Sequence, residues 1–364
     1  MTSVDPRRAA AAFCRDGASC PLSPLGCGNI NDTFLVESAV GPFVLQRINC
    51  RVFPQPLRVI NNFAKITGHL NGRRCQGDKE FCTALPVPTL AGVLFFLDAE
   101  GEYWRGQTYL AHATCHTLTN PGQALQIGRA LASFHVLVAD LEVQCLEDPL
   151  PDFHNLPRYL QEFDQLRARS QKGRDAACHY CFAAIDHDRQ GATALEAAKD
   201  AGLLSIQAIH GDPKIDNFLF DDQGLARGML DLDTVGAGIV HYDLGDCLRS
   251  CCNRAGESGA DGLEVSFDME ICRALLAGYF SLPQPLPSTG QQAYIFEAIL
   301  AITFELGVRF CTDHLRGNTY FKVRRDGDNL LRAVHQFRLV EDIMRKEDAI
   351  RRLVGQVAAG SYVS

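Results

Sequence analysis

The chain carries 364 residues, with 35 Lys and Arg against 43 Asp and Glu, for a formal net charge of −8. That balance argues against a nucleic-acid partner, which would normally show a basic patch, and the length suggests two lobes, each with its own core. Apolar residues make up 46% and charged residues 21%, a globular mix, and no apolar run is long enough to cross a membrane. Ala9 to Cys14 is too short for a signal-peptide core, so a cytoplasmic location is expected. The odd count of 15 cysteines then reads as reduced, mostly buried thiols. Cys178-x-x-Cys181 and Cys251-Cys252 have no second pair at zinc spacing, so no structural metal is expected.

In chain order, Asp5 to Cys14 reads as a short helix. Pro24 to Val36 reads as strand, glycine turn, strand, and Phe43 to Asn49 as a third strand after Gly41-Pro42. The turn between the first two holds Gly26-x-Gly28, where glycine lets backbone N–H groups come close to a nucleotide's phosphates. On the third strand Gln46 and Arg47 point to opposite faces, and either can be the one that meets phosphates. A helix from Leu57 to Leu70 presents Asn61, Asn62 and Lys65 but no Glu. A further hairpin spans Leu94 to Tyr109, and its Trp104-Arg105 reads as packing plus a surface charge. Tyr109 to His112 falls where two lobes would join.

The next helix, Gly122 to Leu141, sets Leu125, Gly128, Leu131, Ala132 and His135 on one face, and His135 reads as a satisfied core histidine. Phe153 to Arg158 opens another helix with Pro157 in its first turn. Ala168 to Leu204 is helical in character and carries no chemistry.

Ser205 to Ile209 is an apolar strand that runs into His210-Gly211-Asp212-Pro213-Lys214-Ile215-Asp216-Asn217. The strand Phe218 to Phe220, the turn Asp221 to Gly224 and the strand Leu225 to Leu230 follow as a hairpin. That hairpin returns Asp231 to the neighbourhood of Asp212 and Asn217. Two carboxylates and an amide oxygen are hard ligands, suited to Mg²⁺ together with a substrate phosphate. Beyond it, Met269 to Phe280, Ala293 to Leu315 and Asn329 to Leu353 read as helices, with the prolines 283, 285 and 287 as a stiff connector. The second of these sets Glu305 and Arg309 four apart, on one face.

His-Gly-Asp-x-x-x-x-Asn at 210–217 resembles the catalytic loop of the aminoglycoside phosphotransferase and choline kinase families, relatives of the protein kinases, whose own loop reads H-R-D-x-x-x-x-N. The resemblance implies an α+β, two-lobed kinase-like fold. Residues 1–109 would form a small antiparallel-sheet lobe covering the nucleotide, and residues 110–364 a larger, mainly helical lobe. It also implies ATP as donor, Asp212 as the catalytic base, and Asn217 and Asp231 as ligands of Mg²⁺. Gly26, Gly28, Asn31, Thr33, Gln46, Arg47, Tyr109 and Ala111 would face the nucleotide. Asp243, in Tyr242-Asp243-Leu244-Gly245-Asp246, matches the acid that supports that loop together with His210.

A finer resemblance, to the N-acetylhexosamine 1-kinases, rests on Gly28 to Thr33, Leu45-Gln46, Trp104-Arg105, Leu230 to Thr234, Glu305 to Phe310 and Asp313 to Phe321. Those kinases also have glutamine where protein kinases place a strand lysine. By this likeness the acceptor is the anomeric hydroxyl of an N-acetylhexosamine, held by Arg309 and Tyr320. Asn29 and Ser250 stand where that family has a histidine and an aromatic, and both would line the sugar pocket. Other hexoses, amino alcohols, homoserine or aminoglycosides remain as acceptors on the same fold, and a nucleotide-binding module without catalysis as a further alternative. A monomer acting on small molecules is expected.

Overall fold

The computed structural model describes residues 5–26, 30–75, 81–111, 113–114, 118, 120–169, 175–257, 264–282 and 287–360. The candidates Gly28 and Asn29 lie outside these, as do His112 and the prolines 283 and 285. A short helix α1 (Pro6–Ala10) precedes strands β1 (Leu22–Pro24), β2 (Asp32–Ser38) and β3 (Gly41–Arg47). Then come helix α2 (Pro56–Cys75), β4 (Pro86–Val87), β5 (Phe96–Leu97) and β6 (Tyr103–Thr108). The six strands form one sheet in the order β1-β2-β3-β6-β4, with β5 added to β6, and every pairing is antiparallel.

Strand alternation divides this sheet into two faces. Phe43, Leu45 and Trp104 pack with Ala9, Ala10 and Phe13 of the α1 region on the outer side. The register sets Thr33 opposite Gln46 and Gln46 opposite Arg105, so these three form a polar row on the other side.

The rest is mainly helical. Strand β7 (Ala113–Thr114) leads to α3 (Pro121–Leu137), α4 (Leu156–Arg169), α5 (Ala176–Ala192) and α6 (Ala194–Asp200). Strands β8 (Ile206–Ile209), β9 (Phe218–Phe220), β10 (Ala226–Met229) and β11 (Gly236–Ile239) carry the loops described below. Helices α7 (Val240–Cys251), α8 (Met269–Tyr279), α9 (Ile295–Arg316), α10 (Asp328–Arg345) and α11 (Glu347–Ala358) complete the chain. Phe63, Ile66 and Leu70 of α2 join the same apolar core as Phe134, Phe218, Leu275, Phe304 and Phe337, so α2 fastens the sheet to the helices. Cys178 and Cys181 are buried in that core, and the described cysteines are free thiols. No helix among the described residues is long and apolar enough to cross a membrane.

The segment 240–251, for which the sequence carried no expectation of secondary structure, forms α7 and buries nearly every residue. Two expectations need correction. The segment expected as one helix from Asn329 to Leu353 is two, because the chain turns at Lys346. There the Asp342 carboxylate accepts from the Phe267 backbone N–H at 2.6 Å and from Lys346 Nζ at 2.6 Å, tying the turn to a neighbouring segment. Arg105 is no surface charge: it is 2% exposed.

Helices α3 and α8 cross at a pair of glycines. A Cβ on Gly128 would lie 2.0 Å from the Leu275 carbonyl oxygen, and one on Gly278 would lie 2.0 Å from that of Leu125. Gly128→Val is therefore expected to cost on the order of 1–3 kcal/mol by overpacking, seen as a lower urea midpoint. Gly355, on α11 with open space around its Cα, should behave oppositely, and Gly355→Ala should stabilise by roughly 0.5–1 kcal/mol.

Candidate active site

Strand β8 delivers the loop 210–217 into the cleft, and Asp243 in the first turn of α7 fixes its start. The Asp243 carboxylate accepts from the backbone N–H of His210 at 2.7 Å and of Gly211 at 2.8 Å, and from His135 Nε2 at 2.8 Å. Burial pushes this carboxyl up, but the His135 imidazole and its other donors outweigh that and hold it below the ordinary range. His135 Nδ1 bonds the Tyr279 hydroxyl at 2.6 Å, so the expected core histidine also braces the loop. His210 accepts from the Asp212 N–H at Nδ1 (3.3 Å) and donates from Nε2 to the Leu230 carbonyl (2.9 Å). Burial keeps it neutral, with its proton affinity lowered, as that pair of bonds requires.

Gly211 sits at φ +86, and a Cβ there would meet the Thr234 carbonyl oxygen at 2.7 Å. Only glycine satisfies both the left-handed backbone and the contact. Beyond it, a 3₁₀ turn, Ile215–Asn217, brings Asn217 round, and its Nδ2 donates to the Asp212 carbonyl at 2.8 Å. The amide oxygen of Asn217 is then the group it can offer a cation. Ser250 Oγ accepts from the Ile215 N–H at 3.1 Å, so this side chain supports the loop from α7.

Asp231 follows β10 and is pinned beside the loop, since Leu230 N–H donates to the Asn217 carbonyl at 2.8 Å. Asp231 adopts φ 60, a left-handed conformation uncommon outside glycine but one that Asp and Asn tolerate better than other side chains. Its side chain is open to the cleft. Desolvation by the surrounding protein, then the negative charges of Asp233 and Asp212, push its carboxyl up to about 7. An acidic cluster of this kind has chemistry that fits a divalent cation.

Two cavities meet at Asp212 and Lys214. One is lined by Gly26, Asn31, Thr33, Gln46, Asn217, Asp231 and Asp233. Arg47 is not among them: it leaves the cleft to pair with Asp32 and lies 6.0 Å from the Trp104 ring centroid. Tyr109, 39% exposed, and Ala111 also lie away from the lining of this cavity. The second cavity is lined by His154, Asp246, Arg249, Glu305, Arg309 and Tyr320, among others, and Ser250 is not in its wall.

Its three cations each meet a carboxylate, Lys214 with Asp212 at 2.7 Å, Arg249 with Asp246 at 2.7 Å, and Arg309 with Glu305 at 3.5 Å, and a fourth acid, Glu257, also lines the wall and acts on Lys214 and Arg249. Burial pushes Asp212 up, yet the Lys214 ammonium prevails and holds it below the usual carboxylate range. Arg309 donates to the Tyr320 hydroxyl at 3.2 Å and sits among four rings, those of Phe153, Tyr159, Tyr320 and Phe321, 5.1–5.5 Å from their centroids. Tyr320 is presented by a loop that Asp313 shapes, its carboxylate accepting the backbone N–H groups of Thr319, Tyr320 and Phe321 at 2.9–3.0 Å. His154 donates from Nε2 to the Gly211 carbonyl at 2.8 Å. Burial disfavours its charge, but Glu305, 3.3 Å from Nδ1, raises its proton affinity above the ordinary value. Sequence reasoning gave neither His154 nor Asp246 a place at this cavity, because no local pattern links them to it.

The sequence matches the phosphotransferase enzyme family over residues 21–279. The chain belongs to that family. Among solved structures it is similar to an aminoglycoside phosphotransferase from Alicyclobacillus acidocaldarius (14% identity, 98% of each chain covered, TM-score 0.64). It is also similar to a microcompartment-associated aminopropanol kinase (16% identity, 94% of this chain and 97% of that one, TM-score 0.65). A third likeness is to a choline kinase from Cryptosporidium parvum (12% identity, 95% and 93%, TM-score 0.57). Together they establish the two-lobed kinase-like fold for this chain.

The Asp231 carboxyl sets a pH dependence for the metal-free protein. Its folded-state pKa of about 7 lies well above that of an ordinary carboxyl, so the folded protein binds a proton that the unfolded chain releases. Its contribution to stability therefore falls as pH rises from about 4 to about 7 and is flat above. Asp231→Asn is expected to raise the thermal midpoint at pH 8 and to lose that advantage at pH 4.5, measured by calorimetry in EDTA.

Proposed function

We propose that this phosphotransferase moves the γ-phosphoryl group of ATP to the anomeric hydroxyl of a neutral sugar, an N-acetylhexosamine, giving the sugar 1-phosphate. Residues 1–109 would form the nucleotide-covering lobe and residues 110–364 the catalytic and acceptor lobe. The observation that carries the acceptor class is the pairing of ions around the second cavity, where each of three cations has its own carboxylate. Such a wall is dense in hydrogen-bonding groups without a large net charge, which suits a polyhydroxylated neutral molecule. The aromatic box, which would otherwise suit a quaternary ammonium, is already filled by the guanidinium of Arg309.

In this reading Asp212, kept ionised, takes the proton from the acceptor hydroxyl as its oxygen aligns with the phosphorus. Lys214 steadies the carboxylate and lies near the incoming phosphate. Asn217 and Asp231 would hold Mg²⁺, which offsets the charge shared by the phosphate oxygens. Arg309 and Tyr320 hold the sugar, the planar fork suiting a hydroxyl or amide carbonyl.

Asp212→Ala should reduce kcat by about 10²- to 10⁴-fold with the acceptor KM little altered; turnover near the parent rate would refute the base assignment. A panel of hexoses, N-acetylhexosamines, homoserine, choline and aminoglycosides, read by ADP release and by NMR of the product, tests the acceptor. Phosphate on C1 of a neutral sugar is expected, and preference for a cationic acceptor would overturn the reading. Arg309→Met should raise the sugar KM by about tenfold or more, the loss of one charged hydrogen-bond partner.

A further inference from the structure

Strand β3 brings no cation to the cleft, since Gln46 faces it and Arg47 does not. A cation reaches it from the neighbouring strand instead. Arg105 of β6 stands opposite Gln46 in the register and is 2% exposed. It donates to Gln46 Oε1 from Nε (3.0 Å) and Nη2 (2.5 Å), and its Nη2 also bonds the Asp233 carboxylate, itself 2% exposed. The other oxygen of Asp233 accepts from Asn31 Nδ2 at 2.7 Å, just before β2. Its neighbours are held as firmly: Thr234 Oγ1 donates to the His210 carbonyl at 2.9 Å, and the Val235 carbonyl accepts from Asn62 Nδ2 of α2 at 3.0 Å.

Arg105 Nη1 is buried with no hydrogen-bond partner among the described residues, and the guanidinium lies 5.0 Å from the Phe63 ring centroid. Desolvation of such a pair can outweigh its attraction, so a buried ion pair is weak grounds for stability alone. Its place is more telling. Asp233 is two residues from Asp231, and without a cation it would be a second free carboxylate beside it.

Resting on the phosphotransfer reading above, we propose that Arg105 is a positioning residue for the metal–nucleotide end of the cleft. Steadied by Gln46, it grips Asp233 and thereby sets Asp231 and Asn31 in place. The charge that protein kinases carry on their third strand is here supplied from β6 and acts through Asp233.

The test is Mg²⁺·ATP binding to the full chain by calorimetry with no acceptor present, so the acceptor's identity plays no part. Arg105→Met and Asp233→Asn should each weaken that binding by about 10- to 100-fold, as when an outer partner of a metal ligand is lost. The double variant should be no weaker than the worse single one, because both break one link. Arg105→Lys should recover most of the affinity. A purely structural role would lower the thermal midpoint while leaving Mg²⁺·ATP binding of the folded variants within twofold of the parent, and that result overturns the proposal, as do additive losses. Should Arg105→Met fail to fold, Asp233→Asn decides alone, since it keeps side-chain size and an acceptor for Asn31. An unaltered chain that does not bind Mg²⁺·ATP refutes the phosphotransfer reading and this proposal with it, an outcome distinct from equal binding by parent and variants.

Discussion

The carboxylate of Asp243 holds the loop 210–217 to the body of the protein. It reaches the end of β8 from α7, accepting two consecutive backbone N–H groups and a histidine that is itself bonded to Tyr279. Backbone donors at the end of a buried strand need partners, and here a charge meets them. Removing one member of a buried charged cluster typically costs about 3–5 kcal/mol, so the loop's geometry and the stability of the helical lobe are the same problem.

From there the cleft is assembled by two kinds of contact. Helix α2 lays Phe63, Ile66 and Leu70 into the main core, a non-directional attachment that fixes the sheet near the helices. The segment 230–235 adds directional bonds to the loop, to Asn31, to Arg105 and to Asn62. Apolar burial brings the halves together, and these polar contacts set which side chains confront one another.

Much of this was legible in the sequence because it is local. The loop from His210 to Asn217 and the hairpin after it are consecutive, and the turn at Gly224 (φ 74) falls where Asp221-Asp222-Gln223-Gly224 places it. Glu305 and Arg309 are four apart in a helix, so their meeting follows from helical pitch. Arg105 was misread because its setting depends on which strand lies beside β3, a pairing across 59 residues that no local pattern encodes. Ser250 and Arg47 show the same limit: a matched position suggested the first and a positive charge the second, and the helix face or strand face sends the side chain elsewhere. The break at Lys346 depends on Phe267, far away in sequence.

The paired ions of the second cavity give that end of the cleft a particular character. Opposite charges 2.7–3.5 Å apart cancel beyond a few ångströms, so that little field beyond that of Glu257 reaches the surrounding water. Entry there is ruled by shape and by the matching of donors to acceptors at short range. Ionic strength, which governs so many encounters between proteins and charged small molecules, has little to act on at this doorway.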